Sequence, residues 1–150
     1  MNQIKFRALN KETKVFVYGD LIKSEMFGSE GSVPSSSLIN ESPLDVEDII
    51  TGLGGGRYSF KTAFVKVIDE TVGQFTGIQD KNGVDIYAGD IVKFRSRYDS
   101  TVGCVEYSEE TTRFVFNIGS QEKPDYRDVG HGWYGTEIIG NIHQNPELKK

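Results

Sequence analysis

A chain of 150 residues suffices for one domain of usual size or two very small ones, and it can bury a core without metal or disulfide staples. Its formal charge is -5, from 17 Lys plus Arg against 22 Asp plus Glu, so the whole molecule repels polyphosphate at long range and a general nucleic-acid coat is excluded. Cys104 is the single cysteine, no continuous apolar run opens the chain, and no stretch approaches the ~20 apolar residues that span a bilayer. These features predict a cytoplasmic protein with no membrane segment and no internal disulfide.

Hydrophobic residues (37%) and charged residues (26%) stand at globular values, and aromatics at 11% lean towards sheets, where flat rings pack on pleated surfaces. From Ile4 to Leu9 apolar and basic residues alternate, and Val15-Phe16-Val17-Tyr18 follows a polar Asn10-Lys14 stretch. The pair reads as a β-hairpin whose second strand ends at Gly19-Asp20. Residues 24–43, rich in Ser, Gly and acids, read as a mobile surface loop.

The segment Ser42 to Ile50 predicts a short helix: Ser42 can cap it, Pro43 suits its first position, and Asp45 complements its dipole. Gly52 to Gly56 stops it. From Tyr58 to Val67 a period of two is sustained, which predicts a long strand. After Asp80-Lys81-Asn82-Gly83, whose Asn-Gly favours the positive φ of a tight turn, short strands are expected at Ile91–Phe94, Gly103–Tyr107, Arg113–Ile118 and Glu137–Ile142. Their number and spacing suggest a small barrel or sandwich.

Three segments carry a resemblance to a known family. They are Ile4 to Lys14, then Gln74-Phe75-Thr76-Gly77-Ile78-Gln79-Asp80-Lys81-Asn82-Gly83 running on through Ala88-Gly89-Asp90-Ile91-Val92-Lys93, and finally Ile138-Ile139-Gly140-Asn141-Ile142-His143-Gln144-Asn145-Pro146-Glu147-Leu148. Together they resemble the YopX-like proteins of phages and prophages of Gram-positive bacteria. The resemblance implies a β-rich fold with a barrel similar to the SH3 type and a phage-derived gene, and it implies no activity. The expected fold is mainly β: an N-terminal β-hairpin, a loop, a short helix and a long strand over residues 1–72, and an SH3-like barrel over 73–150, as two units or one continuous domain.

The chemistry-bearing patterns are weighed against plainer readings. Asp80, Asn82 and Asp85 suggest a calcium loop, but Gly83 falls fourth and Ile91 twelfth, where an EF-hand needs Gly sixth and Glu twelfth; turn chemistry is the better reading. Asp90 is expected to bind backbone amides at the start of its strand. Gly52 to Arg57 lacks the Gly-Lys-Ser/Thr of a phosphate loop and reads as a connector. His131, His143 and Cys104 lack zinc spacing, so no metal, cofactor or catalytic residue is expected.

Two basic-aromatic clusters stand out as an interaction surface: Lys93, Arg95, Arg97 and Tyr98 in one, and Tyr126, Arg127, His131, Trp133 and Tyr134 in the other. The plainer readings are a solvated strand face for the first and a Trp133 that plugs the barrel end for the second. The function expected is a non-enzymatic phage or prophage interaction module that acts through protein contacts, self-associates, and engages a host or phage protein. The alternative is a nucleic-acid-binding accessory protein using Lys5, Arg7, Lys93, Arg95 and Arg97.

Overall fold

The computed structural model describes residues 4–24, 27–28, 31–32, 36–40, 64–95, 100–119, 123, 125–127 and 135–148. The chain divides into two compact units, one formed by Lys5–Val72 and the other by Gly73–Lys150 with Met1–Ile4. Its described elements are β-strands and two short 3₁₀ turns. The helix expected over 42–50 and the residues Tyr58 to Ala63 of the expected long strand lie outside the described residues.

In the Lys5–Val72 unit, β1 (Phe6–Leu9) pairs antiparallel with β2 (Phe16–Ser24) through a turn at Asn10 to Lys14. The Asn10 Oδ1 accepts from the amides of Glu12 and Thr13, at 2.8 and 3.1 Å, which fixes that turn. Here the sequence reading needs correction: β2 does not stop at Gly19-Asp20. Gly19 takes a φ of 156° that suits glycine alone and stays in the ladder opposite Phe6. The strand runs on to Ser24 and pairs with β5 (Ser36–Asn40), which pairs in turn with β6 (Phe64–Lys66).

The span read as a mobile loop therefore contains β5 and the two-residue pair β3 (Phe27–Gly28) and β4 (Gly31–Ser32). Leu38-Ile39 explains the miss: two apolar residues inside a serine-rich stretch supply one core position, and Ile39 is fully buried. Ala8, Val17, Ile39 and Val67 form that core, with Phe6, Leu21, Val65 and Val72 packed against it. The 3₁₀ turn Asp69–Thr71 closes the unit, its buried Thr71 Oγ1 accepting from the Leu9 amide at 2.9 Å and donating to the Ile68 carbonyl at 2.7 Å.

The second unit begins with β7 (Gly73–Gln79) and β8 (Asp85–Tyr87), an antiparallel hairpin with a register shift between Phe75 and Gln79. A five-stranded antiparallel sheet follows. It contains β9 (Asp90–Arg95), β10 (Ser100–Ser108), β11 (Arg113–Asn117), β12 (Tyr126–Arg127) and β13 (Glu137–Asn141), in the order β12-β11-β10-β9-β13. Ile86, Val92, Val105 and Phe116 are the buried centre, and Ile78, Phe94, Phe114, Ile118 and Ile138 pack around them. The Phe94 and Phe116 rings stack with centroids 5.1 Å apart.

An SH3-like closed barrel is not what the described strands form. Their ladder is open, running from β12 to β13, and the hairpin meets β13 through polar links in place of strand pairing. The Lys81 amide donates to the Thr136 carbonyl at 2.9 Å, the Ile138 amide to Asp80 Oδ2 at 3.3 Å, and Lys81 Nζ lies 2.7 Å from Glu137 Oε2. Backbone strain sits in the β10–β11 turn, where Thr112, a β-branched residue, has a φ of 52°. Thr112→Gly is expected to raise stability by about 1 kcal/mol, read as a shift in the urea midpoint at unchanged slope.

Candidate functional site

Register fixes which residues share each face of the five-stranded sheet. Tyr126, Asn117, Cys104, Ile91 and Gly140 stand opposite one another across the five strands, and Val102, Lys93 and Glu137 form the next row. Both rows lie on the face turned away from Val92, Val105 and Phe116. The bulge between Ile138 and Gly140 shifts β13 by one residue and adds Ile139 to this outer face.

A groove of 430 Å³ opens there, lined among others by Ile91, Val102, Cys104, Ile139, Glu147 and Leu148. The C-terminal 3₁₀ turn Pro146–Leu148 makes one wall. It is held by the Asn145 amide, which donates to the Asn141 carbonyl at 2.7 Å, and by the Leu148 amide, which donates to the Asn145 carbonyl at 3.0 Å. Gly140 lets that wall approach: a Cβ on it would lie 2.7 Å from Leu148 Cδ1 and 3.0 Å from Asn145 Oδ1. Asn117 Nδ2 donates to Glu106 Oε2 at 3.1 Å, and its Oδ1 accepts from the Gly119 amide, so the polar rim is ordered by its own partners.

The floor is apolar and the edge is exposed. Ile91 and Cys104 are 1% and 2% exposed, whereas Val102 and Ile139 are 38% and 37% exposed. Among the described residues of the lining, Glu147 is the only one with a charged side chain. Chemically the groove can bury a partner's apolar surface, with hydroxyls, amides and one carboxylate at its margin.

The two acidic turns that first suggest a site have structural work. Asp80 Oδ1 accepts from the amides of Asn82 and Val84 at 2.7 and 3.0 Å, and its Oδ2 accepts from Asn82 Nδ2 and the Ile138 amide at 3.2 and 3.3 Å. Burial works against the charge on this carboxylate, and the hydrogen bonds from Val84, Asn82 and Ile138 outweigh it, leaving the pKa below its ordinary value. With both oxygens occupied by N–H donors the turn is a poor cation ligand. Asp90, 1% exposed, accepts from the Tyr87 amide at 2.8 Å, the strand-entry role expected of it.

The sequence-predicted surface is brought together in part. Lys93 is exposed on β9, and Tyr126, 49% exposed, extends the outer face beyond Asn117, three strands away. Arg95 pairs with Ser100 and Arg127 with Phe116 in the ladders. Arg97, Tyr98, His131, Trp133 and Tyr134 lie outside the described residues. Arg7, expected on a basic face, is instead 7% exposed with its guanidinium 4.6 Å from the Phe16 ring centre, so it is not part of an exposed basic patch.

The sequence offers no reason to place Val102, Ile139 or Leu148 in an interaction surface. A signal was present in Ile91-Val92, because adjacent apolar residues in a strand require apolar surroundings on both faces of the sheet. Cys104 is buried on the groove floor. Its labelling by a thiol reagent is expected to occur at the rate of unfolding, checked by following modification against denaturant.

The family profile described as YopX protein matches residues 5–150. The chain belongs to the YopX protein family. The match takes in every strand that lines the groove. The chain is also similar to the solved "Crystal structure of protein EF1440 from Enterococcus faecalis", at 21% identity over 100% of both chains with a TM-score of 0.48. No match is found among curated proteins.

Proposed function

We propose that this YopX-family chain is a non-enzymatic, phage- or prophage-encoded interaction module that works in the cytoplasm through protein contacts, and that it self-associates through the outer face of its five-stranded sheet. We read that sheet and its hairpin as an opened relative of a small SH3-like barrel. The observation that carries the proposal is the groove, whose buried Ile91 and Cys104 floor is continuous with exposed Val102 and Ile139. Such apolar surface is costly to leave in water and marks contact sites.

Lys93 with Glu137 and Glu147 places both charge signs around that apolar centre, which suits pairing with a copy of the same face. Light scattering over a dilution series tests this. The wild type is expected to shift from dimer to monomer on dilution, and Ile139→Asp to remain monomeric, because a carboxylate buried in the interface costs several kcal/mol. A wild type that stays monomeric at every concentration removes the support.

The nucleic-acid reading loses ground with Arg7 buried and with Lys93 opposite Glu137 in the ladder. A shift of single- or double-stranded DNA or RNA at low salt that weakens steeply with added salt would restore it.

A further inference from the structure

The β7–β8 turn holds a reactive pair in a restrained geometry. In an Asn-Gly sequence the glycine nitrogen can attack the asparagine side-chain carbonyl, because glycine lacks the Cβ that would obstruct the approach. Asn82 and Gly83 are both exposed at the hairpin tip, so water reaches them. The turn is not the two-residue kind in which both central residues take positive φ. The Gly83 amide donates to the Asp80 carbonyl at 3.0 Å, the Asp80 amide donates to the Val84 carbonyl at 2.8 Å, and Gly83, at φ 80°, takes the left-handed position after a type I turn.

Both reacting groups are thereby engaged with Asp80. The nucleophile's N–H is bound to the Asp80 carbonyl, and Asn82 Nδ2, the leaving group, is held 3.2 Å from Asp80 Oδ2. Asp80 is itself fixed, 7% exposed, with the Ile138 amide on the same oxygen.

We infer that Asn82-Gly83 is a self-modification site which the Asp80 carboxylate keeps unmodified while the turn is closed, and which converts to aspartate and isoaspartate when the turn opens. The Gly83 nitrogen forms a bond to Asn82 Cγ and loses its proton. The bond from Cγ to Nδ2 breaks, and Nδ2 leaves as ammonia carrying that proton. Water then opens the cyclic imide at either carbonyl, giving aspartate or isoaspartate without any oxidant or reductant. The product exchanges a donor for a carboxylate beside Asp80, so the modified turn repels the group that closed it. Loss of ammonia and hydrolysis of the imide make conversion one-way, and the added charge loosens the tie between the hairpin and β13.

The test is peptide mapping by mass spectrometry with an isoaspartate-specific assay, after incubation at mildly alkaline pH. Folded wild type, wild type in urea, and folded Asp80→Asn are compared, with circular dichroism to establish folding. Conversion at Asn82 is expected to be at least about tenfold slower in folded than in denatured wild type, and several-fold faster in Asp80→Asn than in folded wild type. If Asp80→Asn does not fold, Asp80→Glu, which keeps the carboxylate but displaces it, is expected to accelerate conversion in the same way. Equal rates in folded and denatured wild type, or a folded Asp80 variant that matches the wild type, would overturn the inference.

Discussion

Asp80→Ala is expected to lower stability by about 2 kcal/mol, the range for removing hydrogen bonds to a charged group when the donors left behind are only partly buried. Four N–H groups lose their acceptor at once: the amides of Asn82, Val84 and Ile138 and the side-chain amide of Asn82. The Ile138 link matters most, because it joins the hairpin to β13, where strand pairing does not. Urea denaturation followed by fluorescence measures the loss.

The same carboxylate predicts an acid limb in the stability profile. Its folded pKa lies below the ordinary 3.8, so its contribution is fully present above the unfolded value and is lost as pH falls through the folded one. Asp80→Asn removes that titration. Its stability is expected to change less than that of the wild type below about pH 4, at a lower overall level. A variant whose acid limb follows the wild-type curve would assign the pH dependence to other carboxylates.

Phe116→Ala is expected to cost about 4 kcal/mol. Phe116 is 2% exposed, stacks on Phe94 and belongs to the buried centre with Ile86, Val92 and Val105, so truncation leaves a void between sheet and hairpin. Thermal unfolding measures it. A cost under about 1 kcal/mol would mean that the sheet collapses into the void, which a core packed at interior density does not readily do.

Strands with strong alternation or turn chemistry were legible in the sequence. The stretches around Ile91, Val105 and Phe116 all lie in observed strands, and Asp80 and Asp90 serve as turn and strand-entry residues. Gly19 reads as a strand end because glycine ends many strands, whereas here its positive φ is accommodated inside the ladder opposite Phe6. β5 was hidden by composition, since Ser36 and Ser37 say loop while burial of Ile39 decides strand. Closure into a barrel could not be read at all, because it depends on which edges meet, and here polar links from Asp80 and Lys81 replace a ladder.

The candidate site was legible only in part, for a physical reason. Charge and aromatic clusters draw attention to Lys93 and Tyr126, yet the apolar part of the groove is built from aliphatic side chains that sequence alone assigns to a core. Register, the β13 bulge and the Leu148 wall turn Val102 and Ile139 into a surface. Arg7 shows the converse: a basic residue that suggests nucleic-acid binding in the sequence is buried over an aromatic ring.

Sedimentation velocity of the wild type, Ile139→Asp and Val15→Asp over the same concentration series tests the central claim most directly. Val15 is 62% exposed and belongs to the other unit, so it controls for the mere addition of a surface charge. The predicted result is a concentration-dependent dimer for the wild type and Val15→Asp and a monomer for Ile139→Asp, all three with the same circular dichroism. A wild type that sediments as a monomer throughout, or an Ile139→Asp that associates as the wild type does, would contradict the assignment of the outer sheet face as the contact surface.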